Sequence, residues 1–202
     1  MTYSVVAVDD DTGAFGVAVA SKALCVGAHV PWGDAEVGAV ATQAWHNLRY
    51  GYEGLALLEQ GLSAAHVVHT LTYGDREAPH RQLGIVDRRG RVGSYTGSRC
   101  LPWAGGMCGR SFAVQGNLLA GPQVVEAMAD SYEAGAGVPF TLRLVEALVA
   151  GDEAGGDRRG RQSAALKVWQ ARPVDLRVDD AARPVHRLLE LIPLWTDDLE
   201  PG

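Results

Sequence analysis

Two short apolar runs flanking a turn cluster constrain the fold more than any other feature of this chain. Tyr3–Val8 and Ala14–Ser21 enclose the segment Asp-Asp-Asp-Thr-Gly at residues 9–13, whose residue types form tight turns. The first run is apolar on both faces, with Tyr3, Val5 and Ala7 on one and Val6 and Val8 on the other. A strand that hides both faces must be covered on both, so the chain builds layers and not a one-sided sheet.

The rest of the pattern follows in blocks. Val37–Gln43 reads as a third strand. A helix is predicted over Gly51–Gln60, closed by Gly61. In the next, Ala64, Val67, Val68 and Leu71 fall at helical spacing, with Ser63 as N-cap and Leu62 stapled onto Val67. Strands return at Gln82–Asp87 and Arg91–Tyr95, joined through Arg88–Gly90. A loop holding Pro102, Trp103, Gly105 and Gly106 precedes a strand at Ser111–Gln115, which ends at Gly116. Gly121-Pro122 opens a helix with stripe Val125, Met128, Ala129 and Tyr132. A second helix covers Pro139–Ala150, with Gly151 as its stop. Arg161–Trp169 reads as a strand, and Val185, Leu188, Leu189 and Ile192 mark a last helix.

Three strands, two helices, three strands, two helices, one strand and one helix favour an α+β fold. The expected form is a four-layer αββα sandwich, two mainly antiparallel sheets between helix layers. A doubly wound parallel fold would alternate strand and helix singly. The 202 residues are expected to form one domain, residues 1–202, with residues 181–202 as a C-terminal helix and tail. Its 25 glycines suit tight turns and close backbone layers.

Composition narrows function. A formal charge of −6 argues against a nucleic-acid footprint. No run approaches a membrane span, and the opening residues lack the basic region of a signal peptide. Three cysteines (Cys25, Cys100, Cys108) without a C-x-x-C spacing fit a reducing cytoplasm, and two free thiols are expected at Cys100 and Cys108.

The chain start carries the chemistry. Thr2 is small enough for Met1 to be removed, leaving a free α-amine beside a hydroxyl. Such an amine titrates near ~7.7–8.0 and can accept the hydroxyl proton, making Thr2 a self-contained nucleophile and base. Thr is also a common second residue, so hairpin register matters. With a two- or four-residue loop, paired numbers sum to 23 and Thr2 faces Ser21; a three-residue loop moves the partner to Ala20 or Lys22. Either way Ser21-Lys22 ends the second strand beside Thr2. A lysine there lowers the amine pKa and favours alkoxide character.

The segments MTYSVVAVDDDTGAFGVAVASKALCVGAHVPW, VGAVATQAWHN, IVDRRGRV, FAVQGNLLAGPQVVEAM and GGDRRGRQSAAL together resemble the family called domain of unknown function 1028, which belongs to the N-terminal-nucleophile (Ntn) hydrolase superfamily. The resemblance runs to about Asp180, and QGNLLAGP and GGDRRGRQSAAL are its specific parts. It implies an αββα fold like that of proteasome β-type subunits in outline. Some members carry an added peptidoglycan-binding-like C-terminal segment, which this chain is expected to lack.

By position, the resemblance implies Thr2 as nucleophile, with Ser21 and Lys22 beside it. It implies an oxyanion hole within Thr42–Asn47, where Trp45 and His46 would line the substrate site and Asn47 would donate. Gln115 and Asn117 would form a second wall, and Asp157 would orient the amine. The lysine departs from the superfamily pattern by standing next to Ser21 and not one strand further on. A retained Met1 would cap the amine and block the mechanism. The implied substrate is a small amide or peptide-like molecule, with no cofactor.

Other constellations point less far. His66 and His69 lie three apart on a helix without a Cys, Asp or Glu cluster, so no metal site is expected. Arg158, Arg159 and Arg161 could grip a carboxylate or phosphate, or form a solvated loop with Asp157 as local partner. Neither a P-loop nor a G-x-S-x-G elbow occurs. Leu191, Leu194 and Trp195 lie partly off the last helix's stripe, which suggests a homodimer or higher oligomer. The alternative to an enzyme is a silent Ntn-like fold that binds a small ligand or cell-wall fragment.

Overall fold

The computed structural model describes residues 2–197. The opening hairpin pairs β1 (Thr2–Val8) with β2 (Phe15–Ser21), and every residue of both strands is buried. The register sums to 23 throughout, so Thr2 faces Ser21. It holds into the turn, where the Asp9 N–H donates to the Ala14 carbonyl at 2.8 Å, leaving Asp10–Gly13 as a four-residue loop.

β3 (Pro31–Asp34) and β4 (Gly38–Ala44) precede α1 (Leu48–Glu59) and α2 (Ala64–Tyr73). β5 (Arg81–Asp87), β6 (Val92–Thr96), β7 (Gly105–Gly109) and β8 (Phe112–Gly116) follow. Then come α3 (Gln123–Ala134), α4 (Phe140–Glu153), β9 (Ser163–Trp169), β10 (Val174–Val178) and α5 (Pro184–Asp197). The strands form two antiparallel sheets, one ordered β10-β9-β2-β1-β8-β7 and the other β3-β4-β5-β6.

Strand alternation sorts the core into three clusters. Tyr3, Val5 and Ala7 of β1 pack with Met128, Tyr132, Leu144, Leu148 and Leu188 of α3, α4 and α5. Val6 and Val8 point the other way and join Val17 and Val19 of β2 against Ala39, Ala41 and Val86 of the second sheet. Val40, Leu83 and Ile85, on that sheet's far face, meet Tyr50, Leu58, Val67, Val68 and Leu71 of α1 and α2. The doubly buried strand expected at the N-terminus is therefore covered by helices on one side and a sheet on the other.

Several expectations are corrected. β3, β7 and β10 are additional strands. α4 runs through Gly151, which is a packing position and not a stop: a Cβ there would lie 2.6 Å from Met128 Cγ, so its absence lets α3 and α4 approach closely. Leu191 and Trp195 are half-buried against the first cluster, so of the three residues expected to be exposed only Leu194 remains so. Ser63 caps α2 as expected, its hydroxyl accepting from the His66 N–H.

Asp87 ends β5 and ties three segments together. Its carboxylate accepts from the Ala64 N–H at 3.1 Å, the Arg89 N–H at 2.9 Å, and the Arg91 N–H and Nε at 3.1 and 2.7 Å. Asp87 is buried, so removing it strands those donors. Asp87→Ala is expected to cost about 3 kcal/mol, read as a lower urea midpoint with unchanged m. Asp87→Asn, which keeps one acceptor oxygen, should lose less.

Candidate functional site

Thr2 ends the row of β1 side chains that faces the second sheet: Thr2, Ser4, Val6, Val8. Below the valines that row turns polar. Ser4 Oγ donates to Gln43 Oε1 at 2.8 Å, and Gln115 Nε2 donates to Ser4 Oγ at 2.6 Å. Gln43 Nε2 donates to Gln82 Oε1 at 2.9 Å and to the Thr2 carbonyl at 3.3 Å. Asn117 Nδ2 donates to the same Gln82 oxygen at 2.7 Å. Four amide side chains from β4, β5, β8 and the segment after it are thus buried and linked beneath Thr2.

Thr2 is 4% exposed, and its hydroxyl donates to Ser21 Oγ at 3.2 Å. Its backbone pairs with Asn117: the Thr2 N–H donates to the Asn117 carbonyl at 3.3 Å, and the Asn117 N–H to the Thr2 carbonyl at 3.0 Å. Asn117 in turn lines a cavity of about 330 Å³ together with Ala44, Trp45, His80, Arg99, Cys100 and Leu101. The cavity therefore opens next to the strand end that carries Thr2.

Trp45, 61% exposed, is held rigidly at the cavity edge. Its indole stacks on the His80 ring with centroids 4.5 Å apart. The Trp45 backbone N–H donates to the His80 carbonyl at 3.1 Å, and the Arg81 guanidinium donates to the Trp45 carbonyl. Arg81 is braced by Asp75 at 2.9 Å, which also accepts from Tyr50 Oη at 2.9 Å. Ala44, which lines the cavity, and Leu118, which follows Asn117 in the chain, have φ of 67° and 53°. Left-handed backbone at non-glycine residues costs on the order of 1–3 kcal/mol each and collects where a site imposes it.

The other residues singled out from sequence are distributed as follows. Lys22 is exposed; its backbone N–H donates to Asp157 Oδ2 at 2.9 Å and its Nζ to the Arg161 carbonyl at 3.2 Å. Asp157 is buried and pairs with Arg159 at 2.6 Å, the local ion pair that was one reading of this arginine-rich segment. Arg161 Nε grips buried Asp152 with two bonds of 2.8 Å, and Asp152 also accepts from Tyr3 Oη. Arg158 is exposed, its N–H bound to the Leu118 carbonyl at 3.0 Å. Gln115 lies between the sheets within the amide network. Asn47 Oδ1 caps α1 by accepting from the Arg49 N–H at 3.1 Å, and Asn47 lines a different cavity, between α1 and α2. Asn47 and Asn117 are therefore not opposite walls of one cavity.

Gln82, His80, Arg99 and Cys100 are the site residues that sequence reasoning missed; Gln43 fell within the Thr42–Asn47 segment expected to form the oxyanion hole but is engaged in the amide network. For Gln82 the signal is a polar residue at the end of an apolar strand run; His80, Arg99 and Cys100 lie outside the strands and carry no such signal. Cys100 donates its thiol to the Arg81 carbonyl at 3.3 Å, and burial pushes its pKa up, so it is not a poised thiolate. All three cysteines are free. Among the described residues no group of three or more His, Cys, Asp or Glu could hold a metal, and no helix is long and apolar enough to cross a membrane.

His46 stacks on His29 with centroids 5.3 Å apart. Burial, then the neighbouring His29, hold its pKa below the ordinary histidine value. The unfolded chain then binds the proton more readily, so this contribution to stability is present above ~6.5 and fades as pH falls below it. His46→Asn is expected to flatten the decline in Tm between pH 7 and pH 5.5; an unchanged slope would assign the decline to other groups.

The model of a family of unknown function, DUF1028, matches residues 2–188. Among solved structures, protein SPO2555 from Silicibacter pomeroyi, described by the same family model, is 32% identical with a TM-score of 0.90, over 100% of this chain and 90% of that one. Anbu, an ancestral beta-subunit from Yersinia bercovieri, aligns over 100% of this chain and 99% of that one at 11% identity and a TM-score of 0.40, too distant to bear on fold or function. No curated protein matches.

Proposed function

The chain belongs to DUF1028, a family of unknown function, and on that premise we propose that it is an Ntn-type amidohydrolase in which removal of Met1 makes Thr2 the nucleophile. The carrying observation is the Thr2 hydroxyl, 3.2 Å from Ser21 Oγ on a strand end whose backbone partner, Asn117, lines the 330 Å³ cavity. On this reading the three apolar clusters are the interlayer cores of a four-layer αββα sandwich of the Ntn type. The substrate is a small amide, no cofactor is needed, and the setting is the cytoplasm. A homodimer through α5 now rests on the exposed Leu194 alone.

The reaction needs only this chain and water. Thr2 Oγ1 bonds to the substrate carbonyl carbon while the hydroxyl proton passes to the α-amine. The oxyanion is held by donors of the cavity wall other than the Asn117 amide, which is already engaged by Gln82. The C–N bond breaks and the amine returns its proton to the leaving nitrogen. Water then hydrolyses the Thr2 ester and restores the hydroxyl.

A second reading, a catalytically silent fold that binds a small ligand, is favoured by one observation. Asp157 is taken up by Arg159 and the Lys22 N–H, and Lys22 Nζ by the Arg161 carbonyl. Neither charge is spent on Thr2. Intact mass combined with an amide-turnover screen separates the readings. Loss of Met1 with turnover supports the hydrolase, whereas retention of Met1 with binding but no turnover supports the binder.

A further inference from the structure

Hydrogen-bond direction around Gln82 determines which end of the Asn117 amide is left over. Gln82 Nε2 faces the Gly116 carbonyl at 2.7 Å, the Gly105 carbonyl at 3.2 Å and Thr96 Oγ1 at 2.9 Å. Carbonyl oxygens only accept, so that end of Gln82 must be the NH₂ and the other end must be the oxygen. The oxygen meets Asn117, whose facing atom must then be the donor Nδ2. Asn117 Oδ1 is therefore the end turned away from the network. It is buried without a partner, on a residue that is 1% exposed and lines the cavity. A buried acceptor left unpaired is unfavourable, and a ligand N–H that reached it would remove that cost.

Arg99 lines the same cavity. Its backbone N–H is bound to the Pro79 carbonyl at 2.7 Å, which fixes where the side chain starts. Its guanidinium has no partner among the described residues, unlike Arg81, Arg159 and Arg161, each of which is matched to a carboxylate. A planar five-donor fork at a cavity wall suits a carboxylate, which it can take with two parallel bonds. Exposed Trp45 and Leu101 supply an apolar rim. At 330 Å³ the cavity stands at the small end of ligand sites, which run ~300–1,000 Å³.

We propose that this cavity takes a small N-acylated amino acid: the amide N–H donates to Asn117 Oδ1, the free carboxylate sits on Arg99, and the apolar part rests against Trp45 and Leu101. The ligand class follows from the cavity alone. Only the fate of its amide bond rests on the hydrolase reading, in which Thr2, backbone-paired to Asn117, attacks the acyl carbonyl.

Calorimetry on the full chain carrying Thr2→Ala tests binding without turnover. The probes are a panel of N-acetyl and longer N-acyl amino acids, their methyl esters (no carboxylate) and their N-methylated amides (no N–H). Some acid of the panel is expected to bind with Kd below 1 mM. Its ester and its N-methyl form should each bind at least 10-fold more weakly. Adding Arg99→Gln should erase the difference between acid and ester, and Arg99→Lys should restore part of it; Arg99 is exposed and its loss leaves the core untouched. Equal binding of acid and ester, or no acid bound at 10 mM, would overturn the ligand class. Turnover is read separately on the wild-type chain. Binding of the acid without hydrolysis sustains the ligand class and removes the hydrolase. Hydrolysis of amides with no preference for the carboxylate does the reverse.

Discussion

Thr2→Ala is expected to lower kcat on any confirmed amide substrate by about 10⁴-fold or more, and to leave the fold in place. The size follows from the proposed role. Removing the attacking atom removes the covalent route itself, whereas losing a single stabilising hydrogen bond costs far less. The structural cost is small, because the lost contact is one hydroxyl-to-hydroxyl bond of 3.2 Å to Ser21 while the β1 register and the backbone pair with Asn117 remain. Such a bond contributes about 1 kcal/mol. Thr2→Ser keeps the hydroxyl and should keep part of the activity, while Ser21→Ala should reduce kcat by about tenfold at most, the weight of one neutral hydrogen bond. The readout that separates chemistry from structure is the pair of kcat and Tm on each variant. A Thr2→Ala protein that turns over at the wild-type rate would end the nucleophile reading, whatever its stability.

How much of this was legible before the structure depends on the range of the interactions concerned. The opposition of Thr2 and Ser21 was readable because a four-residue loop sets register locally. The two-faced burial of β1 was readable because alternation is local too. Membership of DUF1028 was readable from segments spread along the chain, and the family model bears it out. The three missed strands lacked such signals. β7 is Gly-Gly-Met-Cys-Gly, with almost no intrinsic β preference, and owes its strand to pairing with β8. β3 opens on Pro31 and holds Gly33, which reads as a turn, yet that glycine is where Trp169 packs: a Cβ would lie 2.4 Å from Trp169 Cε3. β10 alternates Val174, Leu176 and Val178 with polar residues, an edge pattern that was available and passed over.

The site divides along the same line. Residues near the chain start and the ends of β2 and β8 were identifiable by position. Their partners were not, because each partner comes from a distant segment. Arg161 meets Asp152 across the end of α4, and Asp157 reaches back to the Lys22 N–H, 135 residues away. Gln43 and Gln82 look like ordinary strand ends in sequence. They become a network only when two sheets place them face to face, with Gly84 permitting the approach: a Cβ at that position would lie 2.2 Å from Gln115 Oε1.

Gln82→Leu is expected to be the most destabilising single substitution near the site, by about 3–5 kcal/mol. Leucine is close to glutamine in volume, so packing changes little and the loss is one of hydrogen bonding. The variant leaves Gln43 Nε2 and Asn117 Nδ2 without their shared acceptor and takes the Gln82 donor from the Gly116 and Gly105 carbonyls, all at a position with no exposure. Each stranded buried group costs about 1–3 kcal/mol, partly relieved by relaxation and entering water. Urea unfolding measures the total, and a shift under 1 kcal/mol would mean that the amides do not act as a connected unit. Gln82→Glu supplies a sharper check. A carboxylate still accepts from Gln43 and Asn117 but points its second oxygen at the Gly116 carbonyl, which repels it; protonation restores one donor there. The folded-state pKa of that carboxyl is therefore raised above its unfolded value of ~4.3. A group raised in this way contributes its full stability below the unfolded pKa and loses it as pH climbs through the folded one. Relative to wild type, the Gln82→Glu protein should gain stability as pH is lowered towards 5. If it instead loses ground on acidification, the donor end of Gln82 does not face the Gly116 carbonyl. The orientation of Asn117, with its acceptor left for a ligand, would fall with it.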